Sequence, residues 1–294
     1  MTKSFNVQSF FDTRTSTFTH LIDDGIECAV IDPVLGFDLS SGIVDTVSID
    51  VVEQVIIRRG LTLRWLLETH IHADHLSGSA LLKRRLGGLV GIGRRVTDIQ
   101  TIFREVFNAR DVATDGSAFD RLWNDDERFQ VGKLHVRAMY TPGHTSADIA
   151  YAVGERLDGP LLAVFVGDSL LMPDVGTARC DFHGGDAELL YDSIRRLMQF
   201  ERSTPLYMCH DYPPPGRVPG CVTTVGEQRD RNIHVRDGIG KSEFVALRSH
   251  RDAGLTTPVL MQPAVQVNIR AGNFPPAEES GVTYIKIPLR NSPE

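Results

Sequence analysis

Apolar residues open the chain in short blocks of the kind that form strands: residues 5–11, 17–22 and 28–32. The last two blocks are joined by the turn signal Asp23-Asp24-Gly25. Ile31-Asp32-Pro33 closes this meander. The period then changes. Ser48 is placed to cap a helix over residues 49–59, with Val51, Val52, Val55 and Ile56 on one face and Gly60 as its stop. Residues 63–68 are apolar and aromatic again and read as a buried strand. Residues 76–86 carry a helical pattern that Gly87-Gly88 ends. Residues 89–93 form the next strand. Ile99, Ile102, Phe103, Val106 and Phe107 then recur at helical spacing as a core-facing stripe.

The same order returns further on. Residues 129–132 and 134–140 read as a strand pair, and 149–153 and 161–166 as strands. Asp186 caps a helix over 186–200 with Leu189, Leu190, Ile194, Leu197 and Met198 inward, and a strand at 206–209 follows. Beyond Pro213-Pro214-Pro215-Gly216 the pattern gives one helix near 242–248 and a mostly extended end. Residues 108–128, polar and turn-rich, read as a surface excursion over the site. Strands followed by helices in both halves predict an α/β fold, a four-layer αββα sandwich. The expected organisation is one domain over 1–294, with a C-terminal extension from about residue 213.

Composition narrows the class. With 41% hydrophobic and 23% charged residues the chain is an ordinary soluble globular one. A net charge of -7 with no basic run gives no footing for nucleic acid. No apolar run approaches the ~18 residues of a membrane span, and Met1 to Asn6 lack the apolar centre of a secretory leader. Cys28, Cys180, Cys209 and Cys221 lie far apart without a CxxC pair. They read as reduced thiols of a cytoplasmic protein.

The chemistry concentrates in His70-Ile71-His72-Ala73-Asp74-His75, between the strand at 63–68 and the helix at 76–86. A helix cap would account for Asp74, but not for three histidines at this density. In extended chain His70, His72 and Asp74 face one way, and His75 projects from the incoming helix turn. Imidazoles and a carboxylate converging on one point suit a divalent transition metal. His144, after Thr141-Pro142-Gly143, Asp168, after an apolar strand and Gly167, and His210, before Asp211-Tyr212, each follow a strand, where loops gather a site. His20, His135, His183, His234 and His250 have no ligand spacing, although His234 is a candidate for the pocket wall. Cys180 reads as a small buried residue.

HxHADH, TPGHT, GD and HDY, in this order, resemble the metallo-β-lactamase superfamily. Within it the chain is most similar to the persulfide dioxygenase branch, which includes the β-lactamase-like hydrolase proteins. The phrases that carry this are His70 to Ser79, Ala178-Arg179-Cys180-Asp181-Phe182, His210-Asp211-Tyr212 and Val267-Asn268-Ile269-Arg270. The resemblance implies one Fe(II) on His70, His144 and Asp168, with dioxygen oxidising glutathione persulfide to sulfite and glutathione. His72, Asp74, His75 and His210 would orient ligands and waters, or hold a second metal. The latter leaves a dizinc glyoxalase II-type thioester hydrolase as the alternative. Arg179, Tyr212 and Arg270 are the expected contacts to the substrate's carboxylates. Residues 96–127 are an insertion relative to shorter members, expected to form a lid or a subunit contact. A homo-oligomer, a dimer in the simplest case, is expected, with no nucleic-acid or membrane partner.

Overall fold

The fold was analysed in a computed structural model that describes residues 5–289. Most of the opening Met1–Asn6 segment lies outside the described residues. The chain begins with an antiparallel meander of β1 (Asn6–Asp12), β2 (Thr17–Asp23) and β3 (Glu27–Ile31), followed by the hairpin β4 (Val34–Asp38) and β5 (Ile43–Asp45). Next come α1 (Val47–Arg58), β6 (Thr62–Leu67), β7 (Leu76–Ser77), α2 (Ser79–Leu86), β8 (Leu89–Gly93), α3 (Val96–Val106) and β9 (Arg121–Trp123). The first six-stranded sheet has the order β1-β2-β3-β6-β8-β9, its last four strands parallel. The second sheet begins with β10 (Glu127–Val131), β11 (Leu134–Tyr140), β12 (Ile149–Gly154) and β13 (Leu161–Phe165), all antiparallel. After α4 (Ala187–Leu197) it gains β14 (Pro205–Tyr207), parallel to β13, and then β15 (Val222–Thr224).

Side-chain alternation along each strand sorts the core into three slabs. Ile22, Ala29, Ile31 and Leu67 from one sheet meet Tyr151, Val153 and Phe165 from the other. Their neighbours Leu21, Val30 and Leu66 point the opposite way, under Ile49, Val52 and Ile56 of α1, Leu82 of α2 and Phe103 of α3. Ala150, Ala152 and Val164 pack under Leu190, Ile194 and Leu197 of α4. This is the αββα sandwich. Strands covered on both faces explain why their sequences run apolar without a polar face. Each fully buried aliphatic contributes about 1.5–3 kcal/mol.

Several local expectations change. α1 begins at Val47, so Ser48 lies inside it, and its hydroxyl donates to Asp12 at 2.7 Å instead of capping. Ile49 takes the inward position expected for Val51, which is exposed. Leu189 and Val106 also face outward. Leu76 and Ser77 pair with β4, and the helix starts only at Ser79. The 108–128 stretch is not an excursion over the site. Ala109, Val112 and Phe119 are buried in the core, and β9 adds an edge strand that places Trp123 between Trp65 and Phe129. A lid there is ruled out by this packing. The tail is richer than the pattern indicated, with α5 (Val225–Arg231), α6 (Lys241–Asp252) and α7 (Met261–Asn268). α6 seats Phe244 in the α4 slab, and α7 lies against the first sheet's helical face. Among the described residues no helix is long and apolar enough to cross a membrane.

His20 lies outside the site, buried on β2. Its Nε2–H donates to the Met208 carbonyl at 3.0 Å, and Nδ1 lies 2.8 Å from the Ser9 hydroxyl. Burial lowers its pKa to about 4. The unfolded chain takes up this proton near pH 6.5, while the folded protein resists until about pH 4. The contribution is therefore complete above pH 6.5 and lost as pH falls through that window, amounting to about 3 kcal/mol. Urea titrations should show His20→Gln losing less stability than the parent between pH 6.5 and 4. Parallel pH profiles would exclude this assignment.

Candidate metal centre

The seven histidine and aspartate side chains gather where strand ends meet, and they fall into two groups. In one, the ligand atoms of His70, His144 and Asp168 lie within 4.8 Å of one another; in the other, those of His72, Asp74, His75 and His210 do. Asp168 joins them. Its Oδ2 is 3.8 Å from His70 Nε2 and 3.5 Å from His144 Nε2, while its Oδ1 is 3.5 Å from His210 Nε2. Asp74 lies 3.2 Å from His210 Nε2 and 3.4 Å from His75 Nδ1. The expectation that His70, His72 and Asp74 share a face is corrected: His70 turns to the first group, the other two to the second. The 70–75 segment is an irregular loop, so strand alternation does not apply.

Each ligand has a local cause. Asp32, after β3, accepts from the Thr69 backbone N–H at 2.8 Å and the Thr69 hydroxyl at 2.9 Å, fixing the residue before His70. His144 Nδ1–H donates to the Arg179 carbonyl at 2.7 Å, leaving Nε2 for the centre. Gly143 has φ +146°, and a Cβ there would sit 2.3 Å from the Leu190 backbone nitrogen. Gly167 makes the equivalent tight turn before Asp168, with φ +54°. The Thr17 hydroxyl is 3.2 Å from His210 Nδ1. The histidine loop is held from far along the chain. The Asn268 side chain donates to the carbonyls of His72 and His75, both at 2.9 Å, and accepts from Ser77 N–H at 2.7 Å.

The donors fit a cation. His75 Nε2, His210 Nε2, Asp168 Oδ1 and both His72 ring nitrogens are buried without a hydrogen-bond partner. His72 Nε2 comes within 3.0 Å of Asp32 but off the line of a hydrogen bond. Buried polar atoms are rarely left unpaired, and a metal would satisfy these. Burial, then neighbouring imidazoles, holds His70 and His72 well below the usual histidine range, in the neutral form that binds metal. Burial raises Asp74, but His210 and His75 outweigh it and keep the carboxyl well below its ordinary range. Nitrogen and oxygen donors of this kind accommodate iron and zinc alike.

The centre opens on one side into a cleft of about 1280 Å³. His144 and Asp168 line its floor, with Phe37, Phe182 and Tyr212 among its walls. Of the expected substrate contacts, Arg179 and Tyr212 line the cleft, and the Tyr212 hydroxyl lies 3.5 Å from Asp74. Arg270 does not. Its guanidinium holds Asp111 at 2.8 and 2.9 Å and the Gln266 carbonyl, so it braces α7. His234 is buried behind the wall, its Nδ1 accepting from Thr177 N–H at 3.0 Å. Cys180 is a buried core residue whose thiol burial pushes up to about 12. Sequence reasoning gave no role to Asn268, quoted only within the phrase Val267-Asn268-Ile269-Arg270, and placed Cys209 outside the site. Asn268 has no local signal, because its partners are remote. Cys209 could have been noticed from its adjacency to His210; its sulfur lies within reach of Asp32 and His72.

An αββα sandwich whose strand ends converge on a metal-type cluster beneath a one-sided cleft is an enzyme scaffold. Residues 12–210 match the Metallo-beta-lactamase superfamily, and the chain belongs to that family. It is 50% identical to a probable metallo-hydrolase of Burkholderia pseudomallei, covering 96% of this chain and 98% of that protein. It is 42% identical to glyoxylase B2 of Dictyostelium discoideum, covering 98% of each. Human mitochondrial persulfide dioxygenase ETHE1 is 28% identical over 90% of this chain and 88% of its own. The crystal structure of ETHE1 from Myxococcus xanthus superposes with a TM-score of 0.71 at 30% identity, covering 91% of this chain and all of that one.

Proposed function

We propose that the protein is a mononuclear iron persulfide dioxygenase that oxidises glutathione persulfide. The observation that carries this reading is the separate grouping of His70, His144 and Asp168, two imidazoles and one carboxylate, with His144 and Asp168 facing the open cleft and His70 buried behind them. Similarity to persulfide dioxygenases supports it. Iron held by these three residues would leave positions for a sulfur anion and dioxygen. The overall change balances: glutathione persulfide, O2 and water give glutathione and sulfurous acid, which ionises to sulfite. The outer sulfur loses the four electrons that dioxygen gains. The chain's own contribution is placement. The Arg179 carbonyl aims His144, Thr69 abuts His70, and the floor presents both ligands to a cleft able to hold a tripeptide.

The second group sustains a second reading. His72, Asp74, His75 and His210 would complete a dizinc hydrolase, in keeping with the names of the metallo-hydrolase and glyoxylase relatives. Metal analysis paired with an oxygen electrode separates the two. The expected result is about one iron per chain, as a two-histidine, one-carboxylate site implies, with oxygen uptake on adding glutathione persulfide. Paired zinc, hydrolysis of a glutathione thioester and no oxygen uptake by iron-loaded protein would replace the first reading with the second.

A further inference from the structure

Four arginines line the cleft, and three are committed within the fold. Arg14 meets Asp12 and Asp45. Arg179 grips Asp181 at 2.6 Å through Nε and Nη2 and donates to the Thr256 carbonyl at 2.7 Å. Arg248, with only 3% of its side chain exposed, pairs with Asp252 and donates to the Thr177 carbonyl at 2.8 Å. Arg251 differs. It is exposed, lines the cleft, and its guanidinium has no ion pair or hydrogen bond among the described residues.

Arg248 and Arg251 stand three residues apart on α6, so both reach the same face of the helix. Asp252 also accepts from Cys180 N–H at 2.8 Å, which fixes it against Arg248. Arg248 Nε is buried and lacks an acceptor. On this wall three arginines (179, 248, 251) face two aspartates (181, 252), leaving one positive charge uncompensated. The cleft's other acids are engaged elsewhere: Asp74 and Asp168 with the histidines, Asp174 with Arg217, and Asp38 with Ser40 and Ser41. A free guanidinium beside a rigid buried one, facing a cleft wider than a simple small-molecule pocket, is a receptor for carboxylate.

We propose that Arg251 receives a carboxylate of the thiol portion of the substrate, with the buried Arg248–Asp252 pair as a rigid backing beside it, so that α6 selects acidic peptide thiols over neutral ones. The proposal rests on the function above only for the choice of glutathione. Arg179, the arginine expected from sequence to do this, has its donors occupied.

Calorimetric titration of the metal-loaded protein with glutathione, the unreactive product, tests it. Arg251→Ala is expected to weaken binding about tenfold, or ~1.4 kcal/mol, and Arg251→Glu more, while Arg251→Lys keeps most of the affinity. Glutathione diethyl ester, with both carboxylates masked, should bind the parent and Arg251→Ala alike. Because the Arg251 guanidinium makes no ion pair or hydrogen bond among the described residues, melting temperatures should stay unchanged, separating lost recognition from lost structure. Unaltered glutathione binding in Arg251→Ala and Arg251→Glu, or no binding by the parent, overturns the proposal. Glutathione binding through Arg251 without oxygen uptake on persulfide would uphold it and remove the dioxygenase reading alone.

Discussion

Replacing Asp168 by alanine is expected to strip the metal from the protein and end turnover with it. Asp168 is the one carboxylate in the group with His70 and His144, and its second oxygen reaches His210 in the other group. No single neighbour can take over both contacts. Loss of even an outer hydrogen-bond partner of a metal ligand typically costs about 10–100-fold, so loss of the ligand itself should exceed 100-fold. The fold should not suffer. Asp168 Oδ1 has no hydrogen-bond partner in the protein, and burial raises the carboxyl's pKa despite His210 and His144. A carboxylate raised in this way opposes folding at neutral pH. The metal-free variant should therefore melt no lower than the metal-free parent. Elemental analysis, an oxygen electrode and a thermal melt give the three readings. Metal retained at parental level with normal turnover would show that another carboxylate holds it.

Gly143→Ala should produce a large loss of stability from a single added methyl group. The new Cβ would lie 2.3 Å from both Cα and N of Leu190, which belong to the backbone of α4 and cannot swing aside, and φ at +146° already disfavours a side chain. The helix must shift or the turn must open. Overpacking with backbone displacement costs about 3 kcal/mol, which in a chain of this size lowers the melting temperature by roughly 5–10 °C. The turn also carries His144, so metal affinity should fall together with stability. A melt within a degree of the parent would mean that the turn and α4 have slack between them.

The architecture was legible where one period governed a whole element. Ile22, Val30, Leu66 and Leu67 announce strands covered on both faces, and the structure distributes them between two slabs as alternation requires. His144, Asp168 and His210 could be found because each follows a strand. Their division into two groups could not, since it depends on a loop whose shape is set by Asn268, more than 190 residues away. Arginine roles failed for the same reason. Arg270 finds Asp111 at a separation of 159 residues and Arg179 finds Thr256 at 77, contacts that no local sequence shows, whereas Arg179's pairing with Asp181 two residues on was open to reading. α5 did leave a signal. Thr224 and Glu227 form a capping box whose spacing is visible in sequence. α7 left less, because Pro263 sits in its first turn and its polar Gln266 and Asn268 are buried.

The grip of Asn268 on the histidine loop sets a timetable for the newborn chain. Ribosomes add about 5–20 residues per second, so the loop emerges on the order of ten seconds or more before the side chain that clasps it. Both six-stranded sheets have all their strands by Thr224, well ahead of that clasp. A nascent polypeptide can thus complete its β-scaffold while His72 and His75 still lack their tether, so the clasp on the histidine loop follows the scaffold that surrounds it.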